Sequence, residues 1–210
     1  MQGSVPRGTS SKKALEENLE KLKAYEVLLK QHGEEKGLLG PRDIQIIWER
    51  HILNSLPLVE LISPNSTLAD IGSGAGLPGI PISICRPDLK ITLIEPMARR
   101  AEFLKFVIKN LEIKNTEVFH GRAEALFKKQ KFDFVTARAV APLKKLVKIA
   151  LPLLKLKGYL LALKGAKANL ELNDALEVIN ELRATSLGVV KTGSEIQSEV
   201  SIVVVIKTNE

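Results

Sequence analysis

In the run Leu68-Ala-Asp-Ile-Gly-Ser-Gly-Ala-Gly-Leu-Pro-Gly79, Asp70 is followed by glycines at alternate positions, Gly72, Gly74 and Gly76. Glycines so spaced let a main chain turn sharply and come close to a ligand. A helix starting just beyond them would offer unpaired N–H groups at its N-terminus. That is chemistry for holding a nucleotide-like ligand. Further along stand other groups able to act on one. Glu95 lies 23 residues beyond Gly72, and Arg138 and Lys164 each follow an apolar run.

Two registers fit the loop. Gly74-Ala-Gly-Leu-Pro-Gly79 spells the dinucleotide fingerprint G-x-G-x-x-G. Asp70-x-Gly-x-Gly-x-Gly76 spells the pattern of enzymes that bind S-adenosylmethionine (SAM). The first register puts Pro78 where a helix should already be presenting N–H groups. The second puts Pro78 at the helix start, where a missing donor does little harm. Position and flanks therefore favour SAM. Glu95 closes a second strand, so its carboxylate would sit beside the loop and accept both ribose hydroxyls. An acid there also suits a sulfonium cation. Arg99 and Arg100 follow closely, which leaves a 2′-phosphate and NADP in play.

The same edge of such a sheet would carry Gly121-Arg-Ala-Glu124. The N–H of Ala123 and the carboxylate of Glu124 could read the N1 and exocyclic amine of an adenine. Arg138, in Thr136-Ala-Arg-Ala139, would face the crevice where substrate enters, and Lys164 would end a fifth strand beside it. His51 falls on the apolar stripe of a helix, which reads as a packed, hydrogen-bonded histidine. Together with Arg138 and Lys164 it is also a candidate substrate contact. No nucleophilic triad, metal cluster or paired-carboxylate site assembles. Methyl transfer to a ring nitrogen with a free lone pair needs none, only in-line alignment.

The elements that must position these residues fall into two parts. Residues 1–10 are small and polar and read as a disordered N-terminus. Residues 11–65 read as a helical cap. Ser10 or Ser11 begins a helix carrying Leu15, Leu19, Leu22 and Leu29, Gly33 ends it, and a second helix carries Ile44, Ile47, Trp48, His51, Ile52 and Ser55. Residues 66–210 read as one compact Rossmann-like domain. Its candidate strands are 67–71, 90–95, 115–119, 132–137, 158–163, 186–191 and 200–206, with helices near 79–86, 98–112, 122–129, 142–156 and 167–184. Such alternation predicts an α/β fold with a mostly parallel seven-stranded sheet. The last two strands are joined only by residues 192–199, too short for a crossover, so they should form an antiparallel hairpin. That ending is typical of SAM-dependent methyltransferases and unusual for nicotinamide dehydrogenases.

At 210 residues the chain makes one domain, with room for a small appendage. No apolar run reaches the ~18–20 residues of a membrane span, and no charged-then-apolar leader opens it. A single cysteine, Cys85, excludes an internal disulfide framework and reads as a buried small hydrophobe, so a cytoplasmic location is expected. The formal charge is +7, unevenly spread. From Arg138 to Leu170 there are seven lysines, one arginine and no acid, a balance that suits a polyanion.

With these residues laid out, the chain resembles the RsmG (GidB) family of bacterial small-subunit rRNA guanine-N7 methyltransferases. The match runs from Trp48-Glu-Arg-His-Ile-Leu-Asn-Ser-Leu56 to the last strand. Its most specific parts are Asp70-Ile-Gly-Ser-Gly-Ala-Gly-Leu-Pro-Gly-Ile-Pro81, Arg122-Ala-Glu124, Ala137-Arg-Ala139 and Ala162-Leu-Lys-Gly165. The resemblance implies that SAM is held by Gly72, Leu77, Ala123, Glu124 and Arg138, with Glu95 at the ribose. It implies a guanine of the 530 loop of 16S rRNA as substrate, presented as RNA or as a small-subunit assembly intermediate, with neither metal nor membrane involved. Asn54 departs from the family, where many members carry Asp in a His-x-x-Asp-Ser motif. The competing expectations are a small-molecule SAM methyltransferase, a non-catalytic RNA-binding or assembly factor and, more distantly, an NADP oxidoreductase.

Overall fold

The computed structural model describes residues 8–33, 37–197 and 200–209. The expectation for residues 1–10 therefore lies, over 1–7, outside the described residues. Gly8 donates its N–H to the Glu60 carbonyl at 2.6 Å, and the Ser10 hydroxyl accepts from Lys13 N–H at the start of the first helix.

Seven strands form one sheet: β1 (Thr67–Ile71), β2 (Lys90–Glu95), β3 (Thr116–His120), β4 (Phe132–Arg138), β5 (Leu154–Lys164), β6 (Ala184–Thr192) and β7 (Ser201–Thr208). Their order is β3-β2-β1-β4-β5-β7-β6. Strands β1 to β5 are parallel to one another, and β7 runs antiparallel to both β5 and β6. The strand order reverses between β1 and β4. In a sheet wound in this way, that reversal opens a crevice at the carboxyl ends of the strands.

Alternating side chains build a core on each face of the sheet. Leu68, Leu93, Phe134, Leu161, Val203 and Val205 belong to one core. Ala69, Ile94, Val135, Leu160, Val204 and Ile206 belong to the other. Helices α5 (Leu143–Ala150) and α6 (Ala168–Glu181) cover the second face, while α3 (Gly79–Cys85) and α4 (Ala98–Asn110) cover the first.

The N-terminal helix α1 (Ser11–His32) lies on that first face too, and the short helix α2 (Pro41–Gln45) follows it in the chain. Leu22, Tyr25 and Leu29 of α1 are fully buried in the same core as Leu68 and Leu93. At about 1.5–3 kcal/mol for each buried large apolar side chain, this contact fastens the N-terminal segment to the sheet. The stripe on α1 is rotated from the expected one, with Ala14 and Tyr25 inside and Leu19 exposed.

Three helical expectations change. The second helix breaks into α2, a π-wound turn over Trp48–Leu53 and a 3₁₀ turn over Leu56–Leu61. An added residue in a π turn rotates the downstream chain by roughly 100°, and such turns recur at functional sites. The segment expected as a helix over 122–129 is a 3₁₀ turn over Ala123–Leu126. The helix expected over 142–156 stops at Ala150, because Pro152 lacks a donor; β5 begins at Leu154, earlier than expected. Cys85 is buried, its thiol pushed up to about 12 by burial, as befits an inert hydrophobe.

Candidate functional site

Strand β1 ends in the glycine loop, which folds over the end of β2: the N–H groups of Gly72 and Ser73 both point to the Ile94 carbonyl, at 2.8 and 3.2 Å. Gly76, at φ +101°, has no room for a Cβ, which would lie 2.6 Å from Ile80 Cγ1 and 2.9 Å from the Tyr25 hydroxyl. That hydroxyl donates to the Ala75 carbonyl at 2.7 Å. A side chain from α1 thus pins the loop from below. Tyr25 shares a stripe with Leu22 and Leu29, and a tyrosine on an apolar stripe must find a partner for its hydroxyl; that is the sequence signal that could have found it.

Two carboxylates occupy N–H groups of this loop. Glu95 is buried; one oxygen accepts from Gly74 N–H at 2.9 Å and the other from Met97 N–H at 2.8 Å. Asp70 is fully buried and accepts from Gly79 N–H, the first of α3, at 3.1 Å, while its Oδ1 has no partner. Burial pushes its pKa up to about 7, against the opposing pull of hydrogen bonds and of the Arg138 charge. The helix N-terminus expected to offer open N–H groups is therefore plugged by an acid. A pyrophosphate placed there would be repelled by the ionised acid, whereas a sulfonium would be attracted.

The crevice holds two adjoining cavities. One, of about 370 Å³, is lined by Gly72, Ser73, Gly74, Ala75, Leu77, Glu95, Pro96, Met97 and Arg138, with Leu38, Leu39 and Arg100 closing it from the side. Its size suits a nucleoside-like ligand. The other, of about 960 Å³, is lined by Asp43, Arg50, His51, Asn54, Arg138, Lys164, Glu171 and the loop 139–142. Arg138, Ala139 and Val140 are common to both walls. Ala139 holds φ +55°, a conformation that a residue bearing a side chain rarely adopts, at the turn that divides the cavities.

Of the residues singled out in the sequence, Gly72, Gly74, Leu77, Glu95 and Arg138 meet around the smaller cavity. Ala123 and Glu124 follow β3 and lie outside its lining. His51, Arg138 and Lys164 meet around the larger one. Lys164 is also a tie within the protein: its Nζ donates to the Ala141 carbonyl and to Glu171, both at 2.8 Å, and Glu171 accepts in turn from Leu143 N–H at the start of α5. Burial works to raise the Glu171 pKa, but Lys164 and that N–H hold it below the usual carboxylate range.

Arg138, at the end of β4, donates from Nη1 to His51 Nδ1 at 2.8 Å. His51 Nε2 in turn lies 3.3 Å from Asp43 Oδ1. Burial and then the Arg138 charge lower the His51 pKa, against Asp43, so the ring is neutral at neutral pH, with its proton on Nε2. Asp43 and Arg50 were missed in the sequence because only the break after α2 brings them onto the same wall as His51. Arg100 lines the smaller cavity with its Nε unpartnered. Among the described residues no group of three or more His, Cys, Asp or Glu is placed to hold a metal. No helix among them is long and apolar enough to cross a membrane.

Against known proteins, one family model, GidB (rRNA small subunit methyltransferase G), matches residues 18–200. A ribosomal RNA small subunit methyltransferase G from Thermobifida fusca (strain YX) is 45% identical over 177 residues, which cover 84% of this chain and 75% of the relative. Another, from Corynebacterium glutamicum (strain R), is 40% identical over 206 residues, covering 93% and 92%. Among solved structures, M. jannaschii TYW2 in complex with AdoMet superposes with a TM-score of 0.53 at 19% identity, covering 69% of this chain and 68% of that one.

Proposed function

The chain belongs to the GidB family of small-subunit rRNA methyltransferases, and from that premise we propose that it methylates N7 of a guanine in the 530 loop of 16S rRNA, with SAM as donor. The observation that carries this reading is the shared wall at Arg138. A small cavity with the buried carboxylate of Glu95 in its wall opens there beside a large one bearing Arg50, Arg138 and Lys164.

The smaller cavity fits SAM. Each Glu95 oxygen makes one hydrogen bond to the backbone, so lone pairs remain for the ribose hydroxyls. Behind the loop, Asp70 has an unpartnered oxygen and, in the fraction of molecules where it is ionised near its pKa of about 7, adds negative potential that favours a sulfonium. Gly72, Gly74 and Leu77 shape the floor, and Ala123 and Glu124 are assigned to the adenine on the edge beyond. When bound, SAM supplies an electrophilic methyl group.

The residues of this chain then orient and exclude. Guanine N7 carries its lone pair in the plane of the ring, so no residue need take a proton from it, and alignment is the main catalytic task. Arg138 reaches both cavities and orients the guanine; Lys164 and His51 fix the wall against which it lies. The exposed Lys144, Lys145 and Lys148 on α5 start beside the larger cavity and suit the RNA backbone. The reaction needs no metal. Its substrate is 16S rRNA or a small-subunit assembly intermediate, in the cytoplasm.

The test is methylation by the purified protein of unmodified 16S rRNA and of small-subunit particles, with mass-spectrometric mapping of the nucleosides. N7-methylguanosine in the 530 loop is the expected product. A methyl group on another atom or in another loop overturns the assignment, and so does absence of product with both substrates while calorimetry shows SAM bound.

A further inference from the structure

We infer that His51 is a positioning residue for methyl transfer: as a neutral imidazole bridging Asp43 and Arg138, it holds the Arg138 guanidinium against the wall between the two cavities. The inference deepens the function proposed above and rests on its placement of Arg138 beside the guanine.

The geometry defines the roles of both ring nitrogens. Arg138 has only donors, so at 2.8 Å His51 Nδ1 must be the acceptor. The ring proton then sits on Nε2, directed at Asp43 Oδ1, 3.3 Å away. The chain of contacts runs from α2, through the π-wound turn, to the end of β4. A guanidinium on a flexible stem at a cavity wall has many rotamers. Tying Nη1 to a half-buried ring leaves its other N–H groups aimed, which is what an alignment-limited reaction requires.

The bridge has one chemical weakness. A proton added at Nδ1 removes the acceptor and sets a second cation against Arg138. The charged groups facing the ring are Arg138 on β4, Asp43 on α2 and Arg50 on its own turn. Burial and the two arginines oppose protonation, and Asp43 favours it. Opposition wins, so the ring titrates below the ordinary histidine value of about 6.5. As far as His51 governs it, methyl transfer should therefore be level from mildly alkaline pH down through that value, and any change near 7 belongs to Asp70 and is common to the wild type and His51→Asn. Below it, the rate should fall with one proton as His51 becomes charged.

The experiment is single-turnover methyl transfer to 16S rRNA across that acidic range, with SAM affinity by calorimetry and folding by thermal melt. It uses the wild type, His51→Asn, His51→Leu and Arg138→Ala. Asn keeps a non-titrating acceptor near the Nδ1 position; Leu keeps the bulk alone. Loss of an aligned contact typically costs up to about 100-fold. His51→Leu should slow the chemical step by about 10- to 100-fold while SAM affinity changes less than about three-fold. His51→Asn should recover most of the neutral-pH rate and lose the acidic limb. A wild-type rate in His51→Leu overturns the inference, as does a His51→Asn profile that still falls with the wild type below about 6.5. If the Leu variant fails to fold, the wild-type and Asn profiles decide the matter. A wild-type rate in Arg138→Ala would instead overturn the underlying placement of Arg138, which separates the two failures.

Discussion

The two cavities that meet at Arg138 are made by different means. Around the smaller one, most of the polar contacts close within one short stretch of chain. Glu95 takes Gly74 and Met97, Asp70 takes Gly79, and Ser73 takes Gly76 and Leu77. The larger one is assembled from segments far apart in sequence: Asp43 to Asn54, Arg138 to Pro142, Lys164 and Glu171. Its walls stand by cross-links between segments, His51 to Arg138 and Lys164 to Glu171. A small ligand of fixed shape is served by a rigid local cradle. A nucleotide that arrives on a large RNA needs an open vestibule with cations at its rim, and its walls can come from wherever the fold brings them.

If Arg138 is the joint between the two, its removal should give the largest effect of any substitution. Arg138→Ala is expected to lower the single-turnover rate on 16S rRNA by about 100-fold or more, the scale of lost alignment and charge. SAM affinity should fall far less. Equal losses in both would place Arg138 in the smaller cavity alone and dissolve the comparison.

Next in size is the rim. Lys144, Lys145 and Lys148 are exposed on α5, and α5 begins at the wall of the larger cavity. Replacing all three with Ala should weaken RNA binding about ten-fold at moderate salt. The slope of log affinity against log salt should fall by about 0.7–0.9 for each lysine that meets a phosphate. SAM titrations should not change. An unaltered salt slope would show that the RNA approaches by another face.

These contrasts also explain what the sequence could reveal. The glycine loop, Glu95 and the closing hairpin were legible because each is local: a spacing, a strand end, or a connection too short to cross the sheet. Strands 67–71 and 90–95 match the structure residue for residue, since apolar runs there are bounded by turn residues. The plug of α3 by Asp70 was not legible, because a strand-end acid gives no sign of which N–H it will meet nine positions later. Nor was the His51 bridge. The helix expected through residues 44–55 would have put His51 on a packed stripe, and the π turn that aims it at Arg138 leaves no mark in residue spacing. Pro152 was a visible stop that the apolar pattern over 142–156 overrode.

Tyr25 probes how far the smaller cavity depends on support from outside its own loop. Tyr25→Phe removes the donor to the Ala75 carbonyl and leaves that buried acceptor short of a partner. The expected cost is about 1–2 kcal/mol of folding stability by denaturant titration. With the loop less firmly pinned, SAM affinity should drop several-fold, while RNA binding without SAM stays as it was. A loss of RNA binding equal to that of SAM would mean that α1 braces both cavities, and that the smaller one is less self-contained than its hydrogen bonds suggest.

Position 54 should give the smallest effect, and it bears on whether the far wall of the vestibule is structure or chemistry. Asn54 is the position at which the chain departs from the His-x-x-Asp-Ser pattern of the resemblance. Its side-chain oxygen and its backbone carbonyl share the single proton of the Ser201 hydroxyl, which accepts from Gln197. A carboxylate would accept that same hydroxyl, so the contact with β7 survives Asn54→Asp. The new charge would face Arg50 across the cavity lining, which offsets part of its repulsion of phosphate. Stability should therefore stay within about 0.5 kcal/mol, as for substitutions that keep their partners. RNA affinity and methyl-transfer rate should stay within about two-fold. A rate changed ten-fold at unchanged RNA affinity would move residue 54 from the wall to the reacting centre; with the acceptor role alone at stake, Asn and Asp are interchangeable there.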